Sequence, residues 1–534
     1  MLNHTANSFF EREYPLVRLF ELGDDHVIYD AKPHFAFILS DEELALLLDL
    51  LGGRTEEEIM GIHSPDLEPE TVRSLCLKFT GLQNNGVFIR GPVDEISPVG
   101  RDRIGKLLKY YDENILLRKF CLEVTEECNF RCTYCKRTIA SEAGGHFSTE
   151  LGEENAFLGI QYYFRKYTSF FSDLPEEKKK LLLQVVPPGL SWYGGEPFLN
   201  FDLIKKTAGY FKALPWNEYS ISTDDLHFTA NSNLSIMTDE IIRFLIDNRV
   251  GLYASLDGPA EEHDKCRVFE NGRGTFDLAY SNLLKIRDLD EEYFSNHVSL
   301  FGVHTEGHDH KKCADFNHSL GAFRCEHFPA QYTGVFVSAP EAAIKNYRDS
   351  FQDSLSNFKE RAREESKNPD IDMDLFSGLF AFSSLNVDRP SGKSSLNMSI
   401  TCPMGFDNLM VAANGDLLIC HKSDGSMPIG NCSSGLDIEK LIDLNEKYNS
   451  AINNRECKSC WAVHFCKICA AARMSPDGFV NPTRKECDFF RLATEFRFAC
   501  YLHLSEEHPD LLQKITDHRN DPKHFIGVID KNEF

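Results

Sequence analysis

Three cysteines within eight residues constrain this chain more than any other feature of its sequence. Cys128, Cys132 and Cys135 have the spacing C-x3-C-x2-C in the segment CNFRCTYC, and no fourth cysteine lies close by. Structural metal sites usually close with four ligands, so a three-cysteine site leaves one position for another group. Thiolate-only sites are typical of zinc and of iron–sulfur clusters, and the spacing alone leaves both open.

The net charge of −25 over 534 residues limits the partners that this chain can bind. Sequence-independent binding to nucleic acid needs Lys and Arg on phosphates, and docking on an anionic membrane needs a basic surface. We therefore expect neither nucleic acid nor a membrane as a partner. The length predicts two to four domains and is sufficient for several buried cores.

The 17 cysteines are clustered rather than evenly spread. The N-terminal residues lack the basic start and apolar stretch of a signal peptide, and no stretch approaches about twenty uncharged apolar residues. We therefore expect a cytoplasmic protein, in which disulfides rarely persist. Clustered cysteines in a reduced compartment more often bind metal, and a second cluster runs from 402 to 487.

Residues 1–95 are predicted to form a small α+β unit. Ser40 and Glu43 have the pattern of a capping box at the start of its first helix. The order of three strands, three helices and an edge strand resembles a winged helix-turn-helix domain, and a generic N-terminal cap is the alternative. The strands are predicted at 14–22, 26–31, 34–40 and 84–91, and the helices begin near 41, 54 and 68.

The middle of the chain alternates between strand and helix patterns after a predicted linker at 96–114. Repeated β-α units predict a parallel sheet, open or barrel-like, with functional residues at the carboxyl ends of its strands. A polar helical segment at 341–398 is predicted to bridge the core, 115–340, to a C-terminal domain at 399–534. The core strands are predicted within 119–128, 181–197, 226–233, 250–259 and 296–305, and helices at 153–171, 201–214, 238–249 and 276–289.

The C-x3-C-x2-C loop after a strand, with the aromatic Tyr134 before its last cysteine, resembles the radical S-adenosylmethionine (SAM) superfamily. The resemblance implies a partial (β/α)6-type TIM barrel in an α/β fold. It also implies that Cys128, Cys132 and Cys135 bind three irons of a [4Fe–4S] cluster and that SAM fills the open iron. Reductive cleavage of SAM then yields a 5′-deoxyadenosyl radical, so the cofactors supply the chemistry and the protein supplies orientation.

Further motifs follow in the order expected for that superfamily. By resemblance, GGEP would meet the SAM amino group, SLDGP the ribose or carboxylate, and the arginine of HDKCR the carboxylate. A residue of TANSN stands near the family's Thr-Asn-Gly element, with Ser replacing Gly. The predicted SAM-binding residues are Tyr134, Gly194, Gly195, Glu196, Asn231, Ser255, Asp257 and Arg267.

The second cysteine group resembles the SPASM domain of radical SAM enzymes, which binds two auxiliary [4Fe–4S] clusters. The family pattern departs here between Cys466 and Cys469, which are separated as C-x2-C instead of C-x3-C. The first auxiliary cluster is then one ligand short: Cys432 or an upstream cysteine closes it, or its iron is open to a substrate thiolate. A zinc ribbon is the alternative. The resemblance assigns Cys402, Cys420 and Cys469 to one cluster, and Cys457, Cys460, Cys466 and Cys487 to the other.

Two features narrow the function that the resemblance implies. The Cys-Trp-Ala at 460–462 resembles maturases of ribosomally made peptides, and residues 1–95 resemble the element that binds a precursor's leader by adding it to a sheet edge. The expected function is a peptide maturase that forms thioether crosslinks, with a precursor peptide and a flavodoxin or ferredoxin as partners. Carbon–carbon crosslinking, formylglycine formation in sulfatases and a non-catalytic iron–sulfur or zinc scaffold are the alternatives.

Overall fold

The computed structural model shows a chain built around one long, largely parallel sheet, with a smaller sheet at its N-terminal end. Among the described residues, no helix is long and apolar enough to cross a membrane. The described residues are 2–22, 25–92, 100–135, 148–305, 308–329, 344–345, 348–349, 351–368, 379, 386–387, 404–423, 425–452, 454–466, 469–475 and 477–520.

The N-terminal sheet is an antiparallel meander of β1 (Val17–Leu22), β2 (Asp25–Asp30) and β3 (Phe35–Leu39). Alternation along these strands gives the sheet two apolar faces. One face packs on the helices that follow it, and the other, which we call the outer face, carries Phe20, Val27, Tyr29 and Ala36. The predicted order of three strands and three helices is observed, and a helix at Leu2–Glu13, which was not predicted, precedes them.

The edge strand predicted at 84–91 does not form. The Phe88 N–H donates to the Asp30 carboxylate at 2.7 Å, and Phe88 itself is buried with a positive φ of 56°. A side-chain acceptor therefore replaces the ladder hydrogen bond that a strand would provide. The edge of β1 is blocked in a similar way, because the Asn7 amide bonds both the N–H and the C=O of Leu19, each at 3.1 Å.

The core consists of six parallel strands in sequential order: β4 (Lys119–Thr125), β5 (Gly189–Gly194), β6 (His227–Ser232), β7 (Gly251–Ser255), β8 (Val298–His304) and β9 (Arg324–Pro329). Each neighbouring pair is parallel. This arrangement fits the predicted partial TIM barrel, although β9 was not predicted. Alternate residues of these strands pack under the helices in the main apolar core.

The C-terminal strands join both of the sheets described above and form one small sheet of their own. β10 (Asn386–Val387) pairs in parallel with β3, at Phe35 and Ala36. β11 (Asn408–Val411) pairs in parallel with β4 and leads into the antiparallel β12 (Asp416–Leu418), β13 (Gly430–Asn431) and β14 (Gly435–Leu436). β15 (Met474–Ser475) and β16 (Gly478–Phe479) form a small hairpin.

The segment predicted as a linker is largely a helix, Arg101–Asn114. Ile104 and Leu108 are buried in the core, and Arg101 forms ion pairs with three carboxylates of the helix Ile438–Ile452. The remaining helices and 3₁₀ turns are Asp41–Leu51, Glu56–His63, Pro69–Asn84, Glu153–Ser172, Glu176–Val185, Pro197–Asn200, Phe201–Ala213, Trp216–Tyr219, Thr223–Asp225, Asp239–Asp247, Ala260–His263, Phe276–Leu289, Glu291–His297, His310–His318, Phe351–Glu365, Arg455–Lys458, Val463–Phe465, Ala471–Arg473, Arg484–Glu507 and Pro509–Asn520.

Candidate functional site

The three-cysteine loop follows the carboxyl end of β4, at the edge of the sheet where parallel α/β folds place their functional residues. Backbone hydrogen bonds fix the loop against the segment after β7. The Arg131 N–H donates to the Val268 carbonyl at 2.7 Å, and the Thr133 N–H to the Cys266 carbonyl at 2.9 Å. The loop is therefore positioned by its own barrel.

A buried polar network joins the loop to the end of β7. The Tyr134 hydroxyl donates to Asp257 at 2.8 Å, and the Arg267 guanidinium lies 2.9 Å from the same carboxylate. The Val303 N–H donates to the other carboxylate oxygen at 2.7 Å. Burial raises the pKa of Asp257, but Arg267 and the other partners outweigh it, so the net shift is downward and favours a carboxylate. The structure thus brings together three of the predicted SAM-binding residues.

Gly194 and Gly195 are required by their close approach to the start of the cysteine loop. Gly194 has a φ of 150°, and a Cβ there would lie 2.1 Å from the Thr125 carbonyl oxygen. At Gly195 a Cβ would lie 2.1 Å from the Glu127 carbonyl oxygen. The two glycines therefore let β5 end against the backbone that leads to Cys128.

The Glu196 carboxylate is fully buried and bonded within the protein. It accepts from the Asn233 N–H at 2.7 Å, from the Ser232 hydroxyl at 3.0 Å and from the Phe198 N–H at 3.3 Å. Burial raises the pKa of Glu196 to about 7, against these hydrogen bonds. Glu196 thus anchors the end of β6 beside the cysteine loop.

Asn233, which was not predicted, is the asparagine that touches the loop. Its side-chain amide lies 3.6 Å from the Cys128 sulfur and donates to the Asn129 side-chain oxygen, Oδ1, at 3.0 Å. Asn231 and Ser255, which were predicted, lie on strands β6 and β7, half-buried on the face opposite the helix-packed Ala230 and Ala254. The sequence marked Asn233 only as the second asparagine of TANSN, two residues after the predicted Asn231.

The three thiols fit a shared cluster because all lie on one short loop and are half-buried. Burial raises the pKa of Cys128 and of Cys132 to about 12. Cluster ligands are thiolates, so binding displaces these protons. Within the described ranges, no three His, Cys, Asp or Glu side chains are grouped closely enough to hold one metal ion. A [4Fe–4S] cluster instead distributes its thiolates over separate irons.

A second cysteine site lies in the C-terminal part. One cavity, which we call the four-cysteine cavity, is lined by the whole set that the SPASM resemblance assigns to one cluster. The guanidinium of Arg491 also lines it. Burial lowers the pKa of Arg491. The charge and hydrogen bond of Cys460, together with the charge of Cys487, raise this pKa by more, so the net shift is upward. The cavity thus combines four soft donors with a compensating cation: its cysteines are Cys457, Cys460, Cys466 and Cys487.

The other predicted set is not gathered in this way. Cys402 lies outside the described residues, and Cys420 and Cys469 are half-buried and do not line the four-cysteine cavity. Burial, together with the neighbouring Cys420, raises the pKa of Cys121 on β4. The Cys432 thiol donates to the Asn155 side chain at 3.3 Å. The ligands of a first auxiliary cluster therefore remain a prediction.

Comparison with known proteins supports the assignment of the core. Residues 122–316 match the model of the radical SAM superfamily. The matched segment runs from within β4 to beyond β8 and contains the three-cysteine loop. The uncharacterized protein MJ0907 of Methanocaldococcus jannaschii is 23% identical over 159 residues, which are 29% of this chain and 44% of that protein. The match thus spans less than half of that relative's length.

Similar solved structures exist at low sequence identity. The structure of anSMEcpe with bound AdoMet is 16% identical, with a TM-score of 0.52 over 75% of this chain and 99% of that one. Streptococcus suis SuiB bound to the precursor peptide SuiA is 12% identical, with a TM-score of 0.43 over 89% of this chain and 99% of that one. At such identities, the similarity to anSMEcpe indicates a shared fold.

Proposed function

We propose that this protein modifies a ribosomally made precursor peptide by radical chemistry and installs thioether links from Cys sulfur to carbon. The observation that carries the proposal is the arrangement of the two cysteine sites. The three-cysteine loop lies at the carboxyl end of a strand of the parallel sheet. The same sheet continues into the C-terminal part of the chain, which also holds the four-cysteine cavity. A second redox centre in the same chain would suit a reaction that must dispose of an extra electron.

The chain's own residues would bind and orient SAM at the three-cysteine loop. The bound cluster and SAM would supply a 5′-deoxyadenosyl radical. Asp257 and Arg267 supply a fixed pair of charges beside Tyr134, and Asn233 supplies an amide beside Cys128. The structure of anSMEcpe was determined with AdoMet bound, which supports SAM as the ligand here.

The interior face of the sheet offers a surface for a peptide side chain. Tyr253 and Phe301 pack edge to face with centroids 5.0 Å apart, and Ser255 stands at the end of the same strand as Tyr253. Tyr193 and His421 make a second ring pair at 5.1 Å, next to Cys121. Aromatic and hydroxyl groups hold a side chain by packing and by a few hydrogen bonds.

Forming a thioether from a C–H and an S–H removes two electrons and two protons from the peptide. One hydrogen atom leaves the carbon for the deoxyadenosyl group, and the thiol proton goes to a base or to solvent. The second electron needs an acceptor, which a cluster held by Cys457, Cys460, Cys466 and Cys487 would supply. In this proposal Cys420 and Cys469 would hold the first auxiliary cluster, and that cluster would bind the substrate thiolate.

We propose that the N-terminal unit binds the peptide leader at the edge of β3. The β1 edge is blocked by Asn7, and β10 already pairs with β3 at Phe35 and Ala36. The remainder of β3, Phe37–Leu39, is where an extended peptide would add. Ile38, which is 40% exposed there, would contact it.

The central experiment is anaerobic incubation of the reconstituted enzyme with SAM, a reductant and a short Cys-containing peptide encoded beside its gene. We expect the peptide to lose two hydrogens for each 5′-deoxyadenosine formed and to lose one thiol reactive to alkylation. Loss of two hydrogens with every thiol still reactive would indicate carbon–carbon crosslinks. Replacement of the Cys sulfur by oxygen would indicate formylglycine, and no SAM cleavage would indicate a scaffold.

A binding experiment tests the role of β3. The variant Ile38→Lys should weaken binding of a labelled leader peptide about tenfold, since it places a charge where apolar contact is expected. Ile62→Lys is the matched control, because Ile62 is 42% exposed on the helix Glu56–His63 of the same unit. Equal binding by both variants would favour the reading of residues 1–95 as a structural cap.

A further inference from the structure

The short stretch between Cys460 and Cys466 is unusually apolar for a cysteine loop. Trp461, Ala462, Val463 and Phe465 are each no more than 5% exposed. Ala462 and Val463 also line the four-cysteine cavity, so this stretch forms one of its walls. The other side of that wall packs against the outer face of the N-terminal sheet.

Aromatic contacts dominate this interface. Phe20 stacks on Phe498 of the helix Arg484–Glu507, with centroids 4.1 Å apart and planes 4° apart, and meets Trp461 edge to face at 5.7 Å. Tyr29 lies 5.4 Å from Phe465 and 5.7 Å from Phe498. Each of these rings is at most 6% exposed. The rings therefore form one continuous apolar layer between the N-terminal sheet and the wall of the cavity.

Polar contacts fix the register of the same interface. The His464 ring nitrogen lies 2.8 Å from the Ala31 carbonyl oxygen. Arg18 forms an ion pair with Glu495 at 2.9 Å and lies over the Trp461 ring at 5.8 Å. Such directed contacts specify one position of the cysteine loop, which apolar packing alone does not.

We propose that the N-terminal sheet is a structural wall of the auxiliary centre, in which Phe20 and Tyr29 act as positioning residues for the Cys460–Cys466 loop. The inference rests on the proposed assignment of a [4Fe–4S] cluster to the four-cysteine cavity. It gives the N-terminal unit a second role besides peptide binding. Loosening the outer face should let the cluster be lost or reorient without any change at a cysteine.

The test compares Phe20→Leu with Phe37→Leu in the full chain. Both are buried phenylalanines of the same sheet, but Phe37 faces the helices of its own unit. Both variants should lower the thermal stability of the N-terminal unit. Only Phe20→Leu should release iron to a chelator faster than the unchanged enzyme. The rate should rise about fivefold for about four of about twelve irons. A change of this size is expected when part of one ring contact is lost.

Two further measurements separate a positioning role from general destabilisation. The reduction potential and electron paramagnetic resonance signal of the auxiliary cluster should change in Phe20→Leu and stay as in the unchanged enzyme in Phe37→Leu. Phe498→Leu should produce the same changes in iron release, potential and spectrum. The double variant with Phe20→Leu should add little, because both single variants remove the same Phe20–Phe498 contact.

The outcomes distinguish this inference from the proposed function. If the unchanged enzyme saturates at about four irons, the auxiliary clusters are absent, and both proposals that depend on them fail. If it holds about twelve irons and Phe20→Leu matches Phe37→Leu in iron release, potential and spectrum, the N-terminal sheet is not part of the centre. The proposed function would survive that second result.

Discussion

The three-cysteine loop and the four-cysteine cavity are held in place by different kinds of contact. The first is fixed by hydrogen bonds and a buried ion pair from its own barrel, through Val268, Cys266, Asp257 and Arg267. The second has one wall that packs on rings from the opposite end of the chain. Directional bonds suit a loop that must orient a ligand, whereas apolar packing with a few directed contacts, such as that of His464, suits a loop that must mainly be kept in place and dry.

The two cysteine sites should also differ in which measured property responds to a substitution. Changes near the three-cysteine loop should affect SAM cleavage directly, because the contacts described for it come from the core strands and the segments that follow them. Changes at the four-cysteine cavity should affect iron content and peptide modification first. SAM cleavage without peptide should then persist in variants of the second site, which makes the two sites experimentally separable.

The largest expected effect is at the three-cysteine loop. Changing Cys128, Cys132 or Cys135 to Ala should abolish 5′-deoxyadenosine formation, and the triple variant should be no worse than each single one, because the cysteines act as a unit. Cys266→Ala is the control, since Cys266 is buried against Tyr134 and Cys132 but lies outside the motif. Reductive SAM cleavage by the triple variant would contradict the central assignment.

The next effect concerns the buried ion pair beside the loop. Asp257→Asn leaves the Arg267 guanidinium, whose side chain is 8% exposed, without its counter-charge. Removing one partner of a buried pair costs about 3 to 5 kcal/mol of unfolding free energy, so we expect lower core stability and weaker SAM binding. Denaturant unfolding and SAM titration measure both. Asp277→Asn, at an exposed helix position of the same domain, should change neither.

A smaller effect is expected from the cation of the four-cysteine cavity. Arg491→Met removes a positive charge beside Cys460 and Cys487 and should lower the reduction potential of the auxiliary cluster by roughly 30 to 60 mV, up to a tenfold change in its one-electron equilibrium. Arg491→Lys, which keeps the charge, should lie closer to the unchanged enzyme. Equal potentials in all three would argue against a cluster in this cavity.

The smallest effect is the pH dependence of the N-terminal unit. Burial raises the pKa of Asp30 to about 6, from 3.8, against its hydrogen bonds to Phe88 and Lys32. A raised folded-state pKa contributes stability that is present below about pH 4 and is lost as pH rises through about 6.

Asp30→Asn should remove that contribution, of the order of 2 kcal/mol between pH 4 and pH 8. The difference in unfolding free energy between the two proteins, measured across this range, isolates Asp30 from histidines that titrate in both. A constant difference would show that Asp30 does not titrate on unfolding in this way.

The architecture of the core was predictable because its signals are local. Strands such as Gly251–Ser255 are short apolar runs that end in turn residues, and the helices between them have their own periodicity. The cysteine loop was placed correctly because its spacing and its position after a strand are both visible in the sequence. The radical SAM resemblance of the core is confirmed by the match over residues 122–316.

The missed features depend on contacts that the sequence does not show. Asn233 and Asn231 stand two residues apart in TANSN, and only the end of β6 decides which of them reaches Cys128. The helix Arg101–Asn114 was hidden by the prolines and glycines before it, and its ion pairs come from residues more than three hundred positions away. β10 has two residues, too few for any periodic pattern.

The outer face of the N-terminal sheet was only half predictable. Phe20 follows Leu19 and precedes Glu21 on a strand whose alternate residues, Val17 and Leu19, already face a core. Apolar residues on both faces imply that something covers the second face. The sequence does not identify the cover, because Trp461 and Phe498 stand more than four hundred positions further along the chain. Trp461 itself is buried, as its packing on this face requires.

The aromatic layer between Phe20 and Trp461 also sets an order of events during synthesis. The N-terminal sheet leaves the ribosome long before its covering residues, which at about 5 to 20 residues per second takes roughly 20 to 90 seconds. During that interval, Phe20, Val27 and Tyr29 face solvent or a chaperone. The wall of the four-cysteine cavity is then completed only after Trp461 and Phe498 have been synthesised, so loading of the proposed cluster would be a late step.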